Sequence, residues 1–341
     1  MNRENLIYNR ALYQSRAAAC MLGLAAGDAI GDAGRSEVYR SRYGIVNDLY
    51  PGLRGTDDTE FAVLTACGLL DAGGKLTPES VMAAWKKYVL DQGGIFERAG
   101  RPLIGAAANL LRGLTPPLSG RDNVMNNDVG AAMRAAPIGI LYAGQPELAA
   151  FQARIDAEIS HADDGVWAAQ AVAAGIAVAM LGARVDEVFD VALAQIPKES
   201  WLGRSMQQCQ KICATSSGIE AAYRALHDDF WTPAHAVSPE AIPQIFGVFY
   251  LTGGDFNRGM LWAANFGRDA DSIAAVIGAL NGARLGMEAI PRQWIESLRY
   301  PSGVSLRFAA QEDLLDLANR LVDLSIQMNF EKQEEIRMNR N

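Results

Sequence analysis

Cysteine and histidine are scarce in this chain, and their scarcity removes whole classes of chemistry. Four cysteines, at positions 20, 67, 209 and 213, are too few and too scattered for a disulfide framework. Cys209 and Cys213 stand four apart on an expected helix, a spacing that lets them touch but more commonly just buries both. Three histidines leave little for zinc, and none are paired at zinc-ligand spacing. Strand signals are almost missing: there is no alternating β-branched run and no hairpin dipeptide between such runs. Also absent are a Gly-x-x-x-x-Gly-Lys loop, a dinucleotide fingerprint and a Gly-x-Ser-x-Gly elbow, which sets aside the commonest nucleotide and nucleophile chemistries. Long apolar runs are lacking too. The best candidate, residues 166–181, has 16 residues, contains Gln170 and is rich in alanine, short of a membrane span. Arg3, Arg10 and Arg16 precede the alanine-rich residues 17–26 as a signal peptide's basic region would, but Tyr8, Asn9, Gln14 and Asp28 break that pattern. The expectation is a soluble, cytoplasmic protein with no membrane partner.

What is present is a large helical core. The 341 residues are 50% hydrophobic and show no linker, so a single domain over 1–341 is expected, closed by an amphipathic helix and a charged, frayed tail within 311–341. In that last helix Leu314, Leu317, Leu321, Leu324 and Met328 make a narrow apolar seam, read as docking on the chain's own body with a dimer contact as the other option. Helical periodicity recurs throughout, and the chain reads as all-α. A net charge of −8 argues against nucleic acid or an anionic membrane as a nonspecific partner.

Two stretches stand out. In residues 267–283, Asp269, Asp271 and Ser272 immediately precede a helix of small residues, with Ile273, Ile277 and Leu280 marking one buried face. A second face, Ala275, Ala279, Gly282 and Gly286, would admit another helix backbone at close range. Near the other end of the chain, Gly23, Gly27 and Gly31 form a comparable stripe. Asp28 and Asp32 lie on the face beside it, Asp28 as a hydrogen-bonded supporting group or a solvated one.

The second acid-bearing helix start is Thr56-Asp57-Asp58-Thr59-Glu60. Acids after a threonine commonly serve capping and dipole complementation. Here three carboxylates fall within four residues, which invites repulsion unless a cation is near. Donors of the Asp, Thr and Ser type suit a hard cation, Mg²⁺ or Mn²⁺, and the two turns together supply enough oxygens for two of them. The chemistry implied is hydrolysis, of either a phosphoester or a glycosidic bond. His161, beside an acid at the mouth of a strong helix, reads on its own as a structural group more readily than as a ligand.

Ordered motifs carry a resemblance. Leu-Ala-Ala-Gly-Asp-Ala-Ile-Gly at 24–31, Thr-Asp-Asp-Thr at 56–59, Met-Arg-Ala-Ala-Pro-Ile-Gly at 133–139, Ser-His-Ala-Asp at 160–163 and Gly-Arg-Asp-Ala-Asp-Ser-Ile-Ala at 267–274 make the chain similar to the ADP-ribosylglycohydrolases over roughly residues 16–298. The resemblance implies a compact all-α fold and a dinuclear Mg²⁺ or Mn²⁺ centre held by Thr56, Asp57, Asp58, Asp269, Asp271 and Ser272. It also implies catalytic carboxylates at Glu37, Asp58 and Asp271. Substrate would lie against His161 and Asp163, and is expected also beside Gly267 and Arg268, the arginine being a departure from the family pattern that could pair with a phosphate or offset the acids. Ser272 stands where threonine is commoner and keeps the hydroxyl.

The function expected is therefore Mg²⁺-dependent hydrolysis of the glycosidic bond between ADP-ribose, or a smaller riboside, and its acceptor. Partners would be ADP-ribosyl or ribosyl small molecules or ADP-ribosylated protein, with the chain monomeric or dimeric. The alternatives are a non-catalytic ADP-ribose binder or structural protein, and a metal-dependent phosphatase acting on a phosphorylated riboside.

Overall fold

Two helices from opposite ends of the sequence form the centre of the molecule. Arg10–Arg35 and Ala270–Leu285 pack so closely that a Cβ at Gly27 would fall 2.0 Å from the Ala274 carbonyl oxygen, and one at Gly31 would fall 2.2 Å from that of Ala270. Gly23 meets Gly278 and Gly282 meets Ala19, so the pair is antiparallel. Backbones this close require residues without side-chain bulk on both surfaces, and glycine supplies it. The glycine stripe on the first helix is the one expected. On the second, the facing residues are Ala270, Ala274, Gly278 and Gly282, a row that shares Gly282 with the expected face and otherwise lies beside 275, 279 and 286. The antiparallel arrangement sets the end of the first helix beside the start of the second. All residues from Ala270 to Ala283 are buried.

The computed structural model describes residues 1–50 and 52–338, excluding the side chains of Tyr43, Glu335 and Ile336. Among them are eighteen α-helices and no sheet, only an isolated bridge between Asp128 and Val237, as an all-α reading requires. Helices Asp57–Asp71, Ala136–Leu141, Asp164–Ala179 and Ser238–Leu251 surround the central pair. Leu314–Met338 lies on the chain's own body, with Leu314, Leu317 and Leu321 buried. It continues past Glu331, where the sequence suggested fraying; residues 339–341 lie outside the described residues. Pro137 stands in the first turn of Ala136–Leu141, where its missing N–H costs nothing. Pro146–Ala157 was not expected from sequence and is also led by its proline. None of the described helices is long and apolar enough to cross a membrane.

Candidate active site

The first acid turn is held from behind by Asp28. This fully buried carboxylate accepts the hydroxyl of Thr56 at 2.7 Å on Oδ1, and the Thr56 amide, the Thr59 amide at 3.0 Å and the Thr59 hydroxyl at 2.6 Å on Oδ2. Thr56 is the N-cap of Asp57–Asp71, yet its hydroxyl goes to Asp28, which fixes the turn's position instead of closing the helix end. Asp57 and Asp58 are thereby directed into a cavity. Asp57 accepts the Gly100 amide at 3.1 Å; Asp58 Oδ1 is buried with no hydrogen-bond partner.

The second turn contributes Asp269, Asp271 and Ser272, all at most 4% exposed. Asp269 Oδ2 is the other orphaned carboxylate oxygen. Two arginines enter the cluster from its rim. Arg35, the last residue of its helix, reaches Asp271 Oδ1 and, at 3.2 Å, Asp269 Oδ1. Arg98 reaches Asp271 Oδ2 at 2.7 Å, Asp32 at 2.5 Å and Asp57 at 3.5 Å. Burial pushes Asp58 well above the usual carboxylate range, reinforced by Asp28, Asp271, Asp57 and Asp269. Asp269 is likewise raised by burial and by Asp271, against Arg35. Asp57 goes up to about 6 by burial and Asp271, against Arg98. Asp271 alone is lowered: burial works upward on it, and Arg35 with Arg98 outweighs that.

The acids form one side of a cavity of about 750 Å³, a volume suited to a nucleotide-sized ligand. Asp128 also lines it, and its Oδ1 meets His161 Nε2 at 2.7 Å and accepts the Gly130 amide at 2.8 Å. His161 is 1% exposed and is set by a chain of polar contacts. Arg134 donates to Asp156 Oδ2 at 2.7 Å and to Ser160 Oγ at 3.0 Å, and Ser160 Oγ lies 2.7 Å from His161 Nδ1. The Asp128 carboxylate can only accept, so Nε2–H donates to it, and in a neutral ring Nδ1 is then the acceptor of the Ser160 hydroxyl. Burial lowers the His161 pKa, with Asp128 opposing, in keeping with a neutral ring.

The profile of the ADP-ribosylglycohydrolase family matches residues 9–329. The chain belongs to the ADP-ribosylglycohydrolase family. An uncharacterized protein of Archaeoglobus fulgidus is 32% identical over 91% of this chain and 96% of its own. ADP-ribosylarginine hydrolase Tri1 of Pseudomonas putida is 24% identical over 91% and 80%, and ADP-ribosylhydrolase ARH3 of Bos taurus 26% over 49% and 52%. Among solved structures, a chain titled ADP-ribosylglycohydrolase-related protein complex superposes with a TM-score of 0.66 at 24% identity, covering 92% of this chain and 99% of that one, a likeness of fold. Membership in the ADP-ribosylglycohydrolases points to a hydrolase of glycohydrolase type.

Against the ligand set that the family resemblance implied, Asp57, Asp58, Asp269, Asp271 and Ser272 line one cavity, with Thr56 buried behind them. Oxygen-only donors and two orphaned buried carboxylate oxygens fit a hard divalent cation. Among the described residues, however, no three acidic, histidine or cysteine side chains converge as a finished metal site. Both oxygens of Asp271 are engaged by arginine. The donor chemistry fits, and Arg35 and Arg98 offset part of the cluster's charge.

Other expected residues lie elsewhere. Glu60 faces away from the cavity and accepts from the Ser302 hydroxyl and the amides of Val304, Ser305 and Leu306 at 2.6–2.9 Å, so two carboxylates of that turn, not three, meet the cavity. Glu37 begins the short helix Glu37–Tyr43, is exposed and does not line the cavity, because the chain turns at Ser36. Asp163 is exposed on a separate groove, which also touches His161. Arg268 is taken up by the buried Glu240, with contacts of 2.5 and 3.0 Å, and caps the Trp231 ring at 5.2 Å. It fastens the 231–236 loop that brings His235 to the cavity, and neither it nor Gly267 lines that cavity. Asp32, Arg35, Arg98, Asp128 and His235 do line it and were not anticipated. Only Asp32 had a signal, its position one turn beyond Asp28 on the same helix.

Proposed function

We propose that this chain is a metal-dependent hydrolase of the glycosidic bond joining ADP-ribose, or a smaller riboside, to its acceptor. The observation that carries the reading is the pair of buried, unpartnered oxygens, Asp58 Oδ1 and Asp269 Oδ2, in the wall of one cavity. The names of the relatives Tri1 and ARH3 lend it support. Asp57, Asp58, Asp269, Asp271 and Ser272, with Thr56 behind them, would hold two Mg²⁺ or Mn²⁺ ions. Bound there, such ions supply Lewis acidity and orient substrate oxygens.

The remaining work falls to the chain's own groups. Asp28 sets Asp57 and Asp58 in position. Asp128, gripped by His161 and the Gly130 amide, presents its carboxylate to the same cavity, where it can accept a proton from water or hold a ribose hydroxyl. Positive charge developing on the sugar would be met by the surrounding carboxylates. Loop 96–100 lines the cavity through Arg98, Ala99 and Gly100, tethered by the Phe96 amide to Ser305 and the Gly100 amide to Asp57.

The purified protein is incubated with Mg²⁺ and a panel of ADP-ribosyl and ribosyl compounds, and products are identified by mass. Free ADP-ribose or ribose released only with the cation, and lost in Asp58→Ala and Asp271→Ala while far-ultraviolet circular dichroism is kept, is the expected result. Undiminished turnover in chelator would sink the reading.

A further inference from the structure

We propose that Arg35 and Arg98 are displaceable internal counter-ions, which a divalent cation entering the acid cluster must push aside. The proposal rests on the cation-binding reading of the cluster and adds to it a competition built into the chain itself.

The two guanidiniums sit on the oxygens a cation would need. Arg35 is on Asp271 Oδ1 and on Asp269 Oδ1 at 3.2 Å; Arg98 is on Asp271 Oδ2 at 2.7 Å and near Asp57 Oδ1 at 3.5 Å. Yet they leave Asp58 Oδ1 and Asp269 Oδ2 without any partner, each on a side chain more than nine-tenths buried. A permanent structural salt-bridge network would be expected to satisfy its buried acceptors, since an unpaired buried oxygen is costly. A cation at 2.0–2.4 Å from the same carboxylates would stand within a few ångströms of both guanidiniums, and like charges at that range in a buried setting repel strongly.

Each arginine also has somewhere to go. Arg98 holds Asp32 on the rim at 2.5 Å, outside the proposed ligand set, and Arg35 Nη2 meets His235 Nε2 at 3.2 Å. Their side chains are 33% and 30% exposed, so neither is locked by packing. Arg101 lines the same cavity but is exposed and makes no salt bridge to the cluster among the described residues, which makes it a control for the general electrostatic field.

The test is Mn²⁺ affinity by isothermal titration calorimetry on the full chain, with Arg35→Gln, Arg98→Gln and Arg101→Gln beside the unsubstituted protein. Displacement predicts that Arg35→Gln and Arg98→Gln bind Mn²⁺ more tightly, on the order of tenfold, while Arg101→Gln changes affinity by much less. Arg98→Lys, which restores a displaceable charge, should bring affinity back toward the original value. Thermal shift with and without Mn²⁺ gives a second reading: without cation the two Gln variants melt lower, and they gain more on its addition. Weaker Mn²⁺ binding in both variants would make the arginines supports of the cation site and overturn the proposal alone. Equal gains in all three Gln variants would reduce it to a field effect and overturn it too. No Mn²⁺ binding in any form would remove both the proposal and the metal reading beneath it.

Discussion

Asp28 grips Thr56 twice, taking its hydroxyl on Oδ1 at 2.7 Å and its backbone amide on Oδ2. The two residues are far apart in sequence, and their contact transmits the position of the central helix pair to the first acid turn. Asp28→Ala leaves the amides and hydroxyls of Thr56 and Thr59 without their acceptor in a buried place. Urea unfolding should show a loss of about 3–5 kcal/mol. An effect below about 1 kcal/mol would mean that water replaces the carboxylate and that the turn does not depend on it.

The acid cluster should make stability fall as pH rises through neutrality. Folded-state pKa values of about 7 for Asp28 and about 6 for Asp57, both raised chiefly by burial, lie above their ordinary value of 3.8, and Asp58 and Asp269 are shifted the same way. A raised folded pKa gives stability that is full below the unfolded pKa and is lost as pH climbs through the folded one. In chelator, the melting temperature should therefore drop between pH 5 and pH 8. His161, lowered by burial, works in the opposite sense below about 6.5 and blunts the acidic end. Saturating Mg²⁺ should flatten the profile if the cation binds there, and scanning calorimetry at fixed ionic strength checks both curves.

Arg134 is the only arginine among the described residues with no exposed surface, and its Nε bonds Asp156 at 2.7 Å. Arg134→Leu strands Asp156 and releases the Ser160 hydroxyl from its place beside His161. A cost of about 3–5 kcal/mol is expected, largely recovered in Arg134→Leu/Asp156→Leu because the stranded charge is removed as well. If the double variant is as unstable as the single one, the placement of the guanidinium over the Trp85 ring carries the effect instead of the ion pair.

Arg268→Gln separates two expectations that the sequence left together. Its guanidinium is given to Glu240, whose side chain is 0% exposed, so the variant should lose about 2–4 kcal/mol in unfolding and loosen the 231–236 loop in hydrogen exchange. A direct role on substrate phosphate would instead appear as a raised KM with stability unchanged.

What the sequence revealed follows from how local each feature is. Asp57, Asp58, Asp269 and Asp271 stand at helix starts marked by capping residues and apolar periodicity, and the stripe Gly23, Gly27, Gly31 shows its purpose in its spacing. Arg98 and Asp128 could not be found that way. Arg98 comes from a loop whose path is fixed by residues 302–306, themselves held by Glu60, and nothing within the loop encodes that. Asp128 is set in the cavity wall by a histidine thirty-three positions later and by the bridge to Val237. Glu37 and Glu60 show the reverse error: resemblance points to Glu37 and the neighbouring acids point to Glu60, and the backbone sends each away from the cavity.

The glycine seam also bears on the order in which the protein can be made. Gly23 and Gly278 are roughly 250 positions apart and touch backbone to backbone. During synthesis the first helix, glycine- and alanine-rich and apolar over its buried length, emerges long before the surface that covers it. Neither acid turn can meet the other until that late helix has left the ribosome, so a chain halted before it should have no cavity at all. Closing a loop of this length delays the decisive contact, and for that interval the molecule depends on other helices, or on a chaperone, to keep its most adhesive surface covered.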